Sequence, residues 1–537
     1  MIKYYKMMYT SMFKNIFCFV AVFSIMIMVG CKKDQKIGQN PYDGGKEPLG
    51  IKFTSLRADP QEAAPGEVVR INIKGLKQYE GKFTFYLSDI PTQIENLTDS
   101  TIDIIVPDNV CSGIASVKYD GQYFAGPRIG VLGKTAVDVD YKTANGFDGT
   151  TLQILEHQGG HIIVGGFTDF DNQANKSTYR TGIHYLNELG QSSDRMDFRR
   201  RATGSISSIA KLSDGKFIVG GSLFEFSRRS VQGIARLNVN GSLDTAYVDV
   251  INPDVDTKPM NGRDTISAFN GGLNGIVNHV FATNDNGIIA VGNFDLHRKI
   301  DYRYSSRDNR SYIYTRVNSV AKLKSDGSLD SSFNVNNLGI NGIISGAIQL
   351  SDGRIVIAGR FTRYNTTSVK NIVCLTPNGN VDPTFMANTG TDEMIYSITY
   401  NGLLKRIALT GAFKKYGNSN YAGVVQLNDN GQLIEEFKFG STGNYEPDFA
   451  QVLNSGRIVV TGPFVEYNNI RRTGLLILEK NGSALQDYNN TGGFYGIATT
   501  LVETRSSLGH PAILLGGSIF SIDNRQVGNI VRIEIKD

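Results

Sequence analysis

Short apolar runs, broken at close intervals by Gly, Asn, Asp and Pro, fill the chain from residue 51 onward. In the first stretch they alternate with polar residues at a period of two, which sends successive side chains to opposite faces of a strand. Val68-Val69-Arg70-Ile71-Asn72-Ile73 predicts one strand, 82–86 a second, 101–106 a third that Pro107 stops, and 114–119 a fourth. Short strands of this kind over 51–133 predict a small all-β sandwich.

From residue 134 the pattern becomes a repeat. A strand ending in glycine recurs seven times, at 162–166, 217–221, 288–292, 355–359, 407–411, 458–462 and 513–517. A polar turn such as Ser213-Asp214-Gly215 or Ser351-Asp352-Gly353 often precedes it, and a Phe often follows, as Phe294, Phe361, Phe413 and Phe464 do. About 20 residues on comes a second element: an apolar strand, an Asn-Gly or Asp-Gly turn, then an Asp and an aromatic, as in 236–247, 322–333 and 374–385. Such dipeptides supply the positive φ of a hairpin turn. Each unit therefore holds about four short strands, the content of one propeller blade. The spacing exceeds the ~40–50 residues usual for a blade, so some units carry long insertions. The last copy lacks its Asp-aromatic element, while an unattached one, Val137-Asp138-Val139-Asp140-Tyr141, precedes the first. It is expected to complete the last blade and tie the two ends of a seven-bladed β-propeller over 134–537 together.

Two family resemblances sharpen this reading. Pro60, Ala64-Pro65-Gly66-Glu67-Val68-Val69, Gly75, Ser100-Thr101-Ile102, Val106-Pro107 and Gly113 resemble the IPT/TIG family, which implies an immunoglobulin-like sandwich serving as a spacer or docking module. The recurring glycine strands resemble the delta-60 family of propeller repeats.

The amino-terminal segment reads differently. Lys3, Lys6 and Lys14 precede an apolar run over 16–30 that ends at Cys31. This is the layout of a signal peptide over 1–30, too short for a comfortable membrane span of ~20 residues. Met28-Val29-Gly30-Cys31 resembles the lipobox of bacterial lipoproteins, which implies acylation of Cys31. Cys31-Lys32-Lys33-Asp34-Gln35 resembles the export signal of Bacteroidetes surface lipoproteins, which implies the outer face of the outer membrane. Residues 31–50 then form a flexible tether.

Composition narrows the chemistry. The formal charge of +4 drops to about +1 without the three leader lysines, so there is no electrostatic footprint for nucleic acid. Among six His, only His157 and His161 lie close together, across a Gly-Gly turn and without the helical spacing of a metalloprotease. No Cys/His cluster has metal-site spacing, the Asn/Asp-Gly turns lack a calcium loop's terminal Glu, and no cofactor motif or catalytic residue is nominated. With Trp at zero, the sialidase-type propeller is disfavoured.

Departures from the repeat point to recognition, because function concentrates in loops on a rigid scaffold. An insertion over 297–316 carries Arg298, Tyr302, Arg303, Tyr304, Arg307, Arg310, Tyr312, Tyr314 and Arg316, residue types that dominate binding hot spots. With a second long loop over 252–274 it forms a recognition surface, or else a hairpin packed on the sandwich or projecting into solvent. The chain thus reads as a non-catalytic, lipid-anchored surface lipoprotein. The lipoprotein resemblance implies an accessory role beside a TonB-dependent transporter and its substrate-binding lipoprotein (a SusCD-like pair), with a glycan or peptide ligand. A propeller-based glycan hydrolase or lyase and a protein-docking platform stand as alternatives.

Overall fold

The computed structural model describes residues 48–172, 181–198, 202–251, 261–306, 308–333, 337–385, 390–421 and 423–536. Among these, no helix is long and apolar enough to cross a membrane. The described chain is all-β, an N-terminal β domain followed by a β-propeller.

The N-terminal domain is built from two sheets. One has the strand order Lys52–Phe53, Val68–Lys74, Thr101–Ile105, Gln93–Leu97; the other runs Glu62–Ala63, Gln122–Val131, Gly113–Tyr119, Thr84–Leu87, Ile90–Pro91. The period of two does what it should. Along Val68–Lys74 exposure alternates strictly, and Val69, Ile71 and Ile73 are fully buried. Each such side chain contributes about 1.5–3 kcal/mol when withdrawn from water. Phe53 of one sheet meets Phe85 of the other edge-on at 6.3 Å, so the two inner faces share a core.

Among the described residues, with smaller sheets and ribbons between them, the seven copies of the repeat each form an antiparallel up-and-down sheet. Their first strands are Thr151–Glu156, Ala202–Lys211, Ile276–Ala282, Ile343–Gln349, Ile395–Asn401, Phe449–Val452 and Phe494–Arg505. The glycine-ended strands are the middle strands of these sheets. In six sheets the glycine faces a bulge in the first strand, as Gly359 does between Ile344 and Gly346. A Cβ on Gly359 would stand 2.0 Å from the Ile343 carbonyl oxygen, and one on Gly411 2.2 Å from that of Met394. The repeated glycine therefore makes room for a bulged backbone. The sixth sheet has no such bulge, and Gly462 has no such carbonyl beside it.

The fourth element is slighter than a full strand. In six sheets it is a single bridge folded back by the polar-Gly turn, for example Leu375 to Val381. The residue after it donates its N–H to the third strand in every sheet: Ser193 to Tyr185, Asp244 to Arg236, Asp330 to Lys322, Asp382 to Cys374, Ile434 to Gln426, Leu485 to Ile477. The seventh of these bonds runs from Asp138 to Arg532, and Thr135–Val137 pairs antiparallel with Ile530–Ile535. The expected closure is thus present, with its strand two residues upstream of the predicted element. The Phe residues after the glycines are buried in clusters, as a core role requires.

Candidate functional site

Among the described residues, parts of both insertions are strands, as the hairpin alternative expected; residues 252–260 of the second lie outside the described residues. Thr245–Ile251 pairs with Asn261–Ser267, and Leu296–Ile300 pairs with Tyr312–Arg316 and with Gly272–Leu273. Alternating Tyr, Ile, Thr and Arg side chains favour a pleated surface, and a hairpin satisfies the backbone groups a loop would leave to water.

On this hairpin Arg298 lies opposite Tyr314, and its guanidinium sits 4.3 Å from the centroid of the Tyr312 ring. Tyr312 and Tyr314 are 6.2 Å apart. Arg310 donates to the buried Asp264 at 3.0 Å. Arg303 makes a forked pair with Asp301 at 2.9 and 2.7 Å, and lies beside the exposed Tyr304. Tyr302 is half-buried, and burial pushes its hydroxyl up to about 12. Tyr314 and Arg316 face solvent. The space enclosed beside Arg310 and Tyr312 is about 10 Å³, room for one water at most. The hairpin brings the predicted residues together as a packed surface rather than a pocket. Arg307 and Cys31 lie outside the described residues.

A second space runs along the propeller axis. All seven first strands line it, and it measures about 480 Å³. Side chains stitch each first strand to the next around this channel. Gln153 bonds both backbone groups of Ile209, the Val280 N–H donates to Ser208, and Gln349 donates to the Ala282 carbonyl. Ser345 donates to Ile395, Thr399 to Ala450, Gln451 to Leu501 and Thr499 to Thr151. The circuit spans all seven junctions, so the polar groups of the channel hold the ring together. His279 faces the channel, stacks on Phe281 at 6.2 Å, and is pushed down to about 4 by burial, hence neutral at pH 7. Among the described residues, no carboxylate and none of the predicted Arg and Tyr residues lines the channel.

His157 and His161 are both buried, with pKa values lowered by burial, and His161 lies at about 4. Among the described residues no cluster of three metal-capable side chains occurs, and Cys111 and Cys374 are buried free thiols.

The third space lies where the N-terminal domain meets the propeller. Ser112 donates twice to the Asn490 carbonyl, Lys134 donates its N–H to Asp487, and buried Arg472 donates to the Asn109 carbonyl. These bonds pin the junction. Beside them opens a cleft of about 510 Å³ lined by Tyr123 and Arg128 from the first domain and by Arg471, Tyr495 and Phe520 from the propeller. Ligand sites fall in the range ~300–1,000 Å³ and favour domain junctions. Tyr123, Tyr495 and Phe520 leave 54%, 55% and 69% of their surface in water. Sequence reasoning missed this site because no local motif marks it.

Residues 27–127 match a family model described as "Domain of unknown function (DUF5008)". Residues 212–247, 312–333 and 350–385 match one described as "Domain of unknown function (DUF5122) beta-propeller". No curated protein matches the sequence. Similar solved structures include a structural-genomics protein of unknown function from Bacteroides thetaiotaomicron, with 11% identity, 91% of this chain and 98% of that chain covered, and a TM-score of 0.29. An auxiliary nutrient binding protein from the same species has 9% identity, coverage of 92% and 99%, and a TM-score of 0.28. A structure titled "YCF48 bound to D1 peptide" has 10% identity, coverage of 75% and 96%, and a TM-score of 0.36. At such scores these likenesses carry no argument about this chain. The family models do: the chain carries a DUF5008 N-terminal domain and a DUF5122 β-propeller.

Proposed function

We propose that this protein is a lipid-anchored binding protein of the outer-membrane surface, acting beside a TonB-dependent transporter in glycan or peptide uptake. In this reading residues 1–30 are a signal peptide, Cys31 carries the lipid, 31–50 are the tether, 51–133 an immunoglobulin-like sandwich, and 134–537 a seven-bladed propeller whose blades are the seven sheets. The observation that carries the binding role is the cleft at the junction of the two domains. It combines ligand-sized volume with three half-exposed aromatic rings on a hydrogen-bonded frame. The leader motif supports the anchor, since two or three acyl chains hold a protein stably to a bilayer.

The test is a gentle-detergent pull-down of the tagged full-length protein from its native outer membrane, with mass spectrometry of the partners. Recovery of a TonB-dependent transporter with its substrate-binding lipoprotein is expected; recovery of the protein alone refutes a stable uptake complex. In parallel, Cys31→Ala should move the protein out of the outer-membrane fraction. Retention there would refute the anchor.

A further inference from the structure

The cleft at the domain junction sorts its own chemistry. The charged side chains on its walls are already matched: Arg128 donates to Asp523, and Arg471 donates to Asp89, with Lys118 3.9 Å from the same Asp89 carboxylate. Beside these ion pairs the lining carries neutral hydrogen-bonding groups. The hydroxyls of Thr473 and Ser521 and the side-chain amides of Asn524 and Gln526 line the cleft without a partner among the described residues.

The aromatic rings stand among these groups. Tyr495 and Phe520 come from paired strands of the seventh sheet, Phe494–Arg505 and Pro511–Ile522, and Tyr123 comes from the N-terminal domain. The Tyr495 ring rests on the bare backbone of Gly493, where a Cβ would stand 2.8 Å from it. Its seat is therefore set by packing before any ligand arrives, which lowers the ordering cost of binding.

We infer that this cleft binds an uncharged oligosaccharide, a deepening that rests on the binding role proposed above. A pyranose ring offers an apolar C–H face that lies against an aromatic ring, and a rim of neutral hydroxyls that both donate and accept. Amide and hydroxyl side chains match that rim, since each also donates and accepts. Arg128 and Arg471 bring the carboxylates of Asp523 and Asp89 with them, and these repel an anion, so an uncharged ligand is the better match.

The sequence contains no Trp, so Tyr495→Trp places one fluorescent reporter in the cleft. The full-length lipoprotein, held in a detergent without a sugar headgroup, is titrated with neutral gluco-, manno-, galacto- and xylo-oligosaccharides, with oligouronates, and with casein peptides. A saturable change in emission with one neutral series, and none with oligouronates or peptides, is expected. Calorimetry on the unmodified protein should reproduce that binding. Tyr495→Ala and Phe520→Ala, both at exposed positions, should weaken it at least tenfold with an unchanged circular-dichroism spectrum, while Tyr314→Ala, outside the lining of the cleft, should leave it intact. A response only to charged glycans or to peptides, no response at all, or full affinity in both cleft variants overturns the inference. The pull-down reports separately on the uptake role: a lone lipoprotein there with neutral-glycan binding here refutes the complex and keeps the site.

Discussion

The ion pair that closes the ring invites the sharpest stability test. Asp138, just after the strand Thr135–Val137, meets Arg532 of Ile530–Ile535 at 2.8 Å, and their side chains are only 5% and 2% exposed. Arg532 also donates to the Glu188 carbonyl and the Ser507 hydroxyl, and lies 4.5 Å from the Tyr141 ring centroid. Asp138 accepts from the backbone N–H groups of Ser507 and Asp140. Removing one partner leaves a buried, uncompensated charge, which costs about 3–5 kcal/mol. An exposed pair such as Lys480–Glu436 contributes under ~1 kcal/mol and serves as the control. Asp138→Ala and Arg532→Met are each expected to lose about 3–5 kcal/mol in guanidinium denaturation followed by circular dichroism, against almost nothing for Lys480→Ala. The double variant Asp138→Ala/Arg532→Met should lose less than the sum of the single changes, because two apolar groups replace two charges. Burial raises the Asp138 pKa, but the Ser507 and Asp140 N–H groups and the Arg532 guanidinium outweigh it and hold the carboxyl below its ordinary value. Its contribution is therefore complete above the unfolded-state value of ~4 and vanishes as pH falls through the lower folded value. The wild-type and Asp138→Ala stabilities should converge in acid. Single-variant losses under ~1 kcal/mol, additive losses in the double variant, or a gap that persists at low pH would refute the reasoning.

Two more substitutions read the same physics elsewhere. Burial pushes the Asp448 carboxyl up to about 6 while Thr461 donates to it at 2.8 Å, so stability is lost as pH rises from ~4 through that value. Asp448→Asn keeps the acceptor and should gain on the order of 1–3 kcal/mol at pH 7 and nothing at pH 4, as measured by denaturation at both pH values. Gly379 has φ +82°, and a Cβ there would stand 2.7 Å from the Phe333 ring of the preceding repeat. Gly379→Ala should therefore lose more than ~1 kcal/mol, whereas an alanine at Gly456, whose φ is also positive but which has open space around it, should lose less.

The repeats explain why so much of the fold was legible. The residue that donates from the fourth element is Asp where a base stands ready: Asp244 with Arg236 and Lys216, Asp330 with Lys322, Asp382 with Arg354, Asp138 with Arg532. In other sheets the same position is Ser193, Ile434 or Leu485. The Asp of the fourth element, recurring after polar-Gly turns, leaves a mark in the linear order. The Arg- and Tyr-rich insertion over 297–316 was equally visible as a departure from the repeat, yet its pairing with 272–273 and its contact with Asp264 were not, since strand pairing depends on which edges meet.

Strand period, polar-Gly turns, recurrence and the leader motif are local properties, set by backbone sterics and by each residue's affinity for water, so the sequence by itself determined the all-β class, the repeat, the unattached closing element and the expectation of a lipid anchor. The cleft was decided only by tertiary structure. Its walls run from Ser88 to Gln526, on a domain and on a sheet that the ring closure and the bonds of Ser112, Lys134 and Arg472 bring side by side. No local signal marks a surface whose halves lie hundreds of residues apart in the chain, because what makes them one site is the free energy of packing two finished domains together.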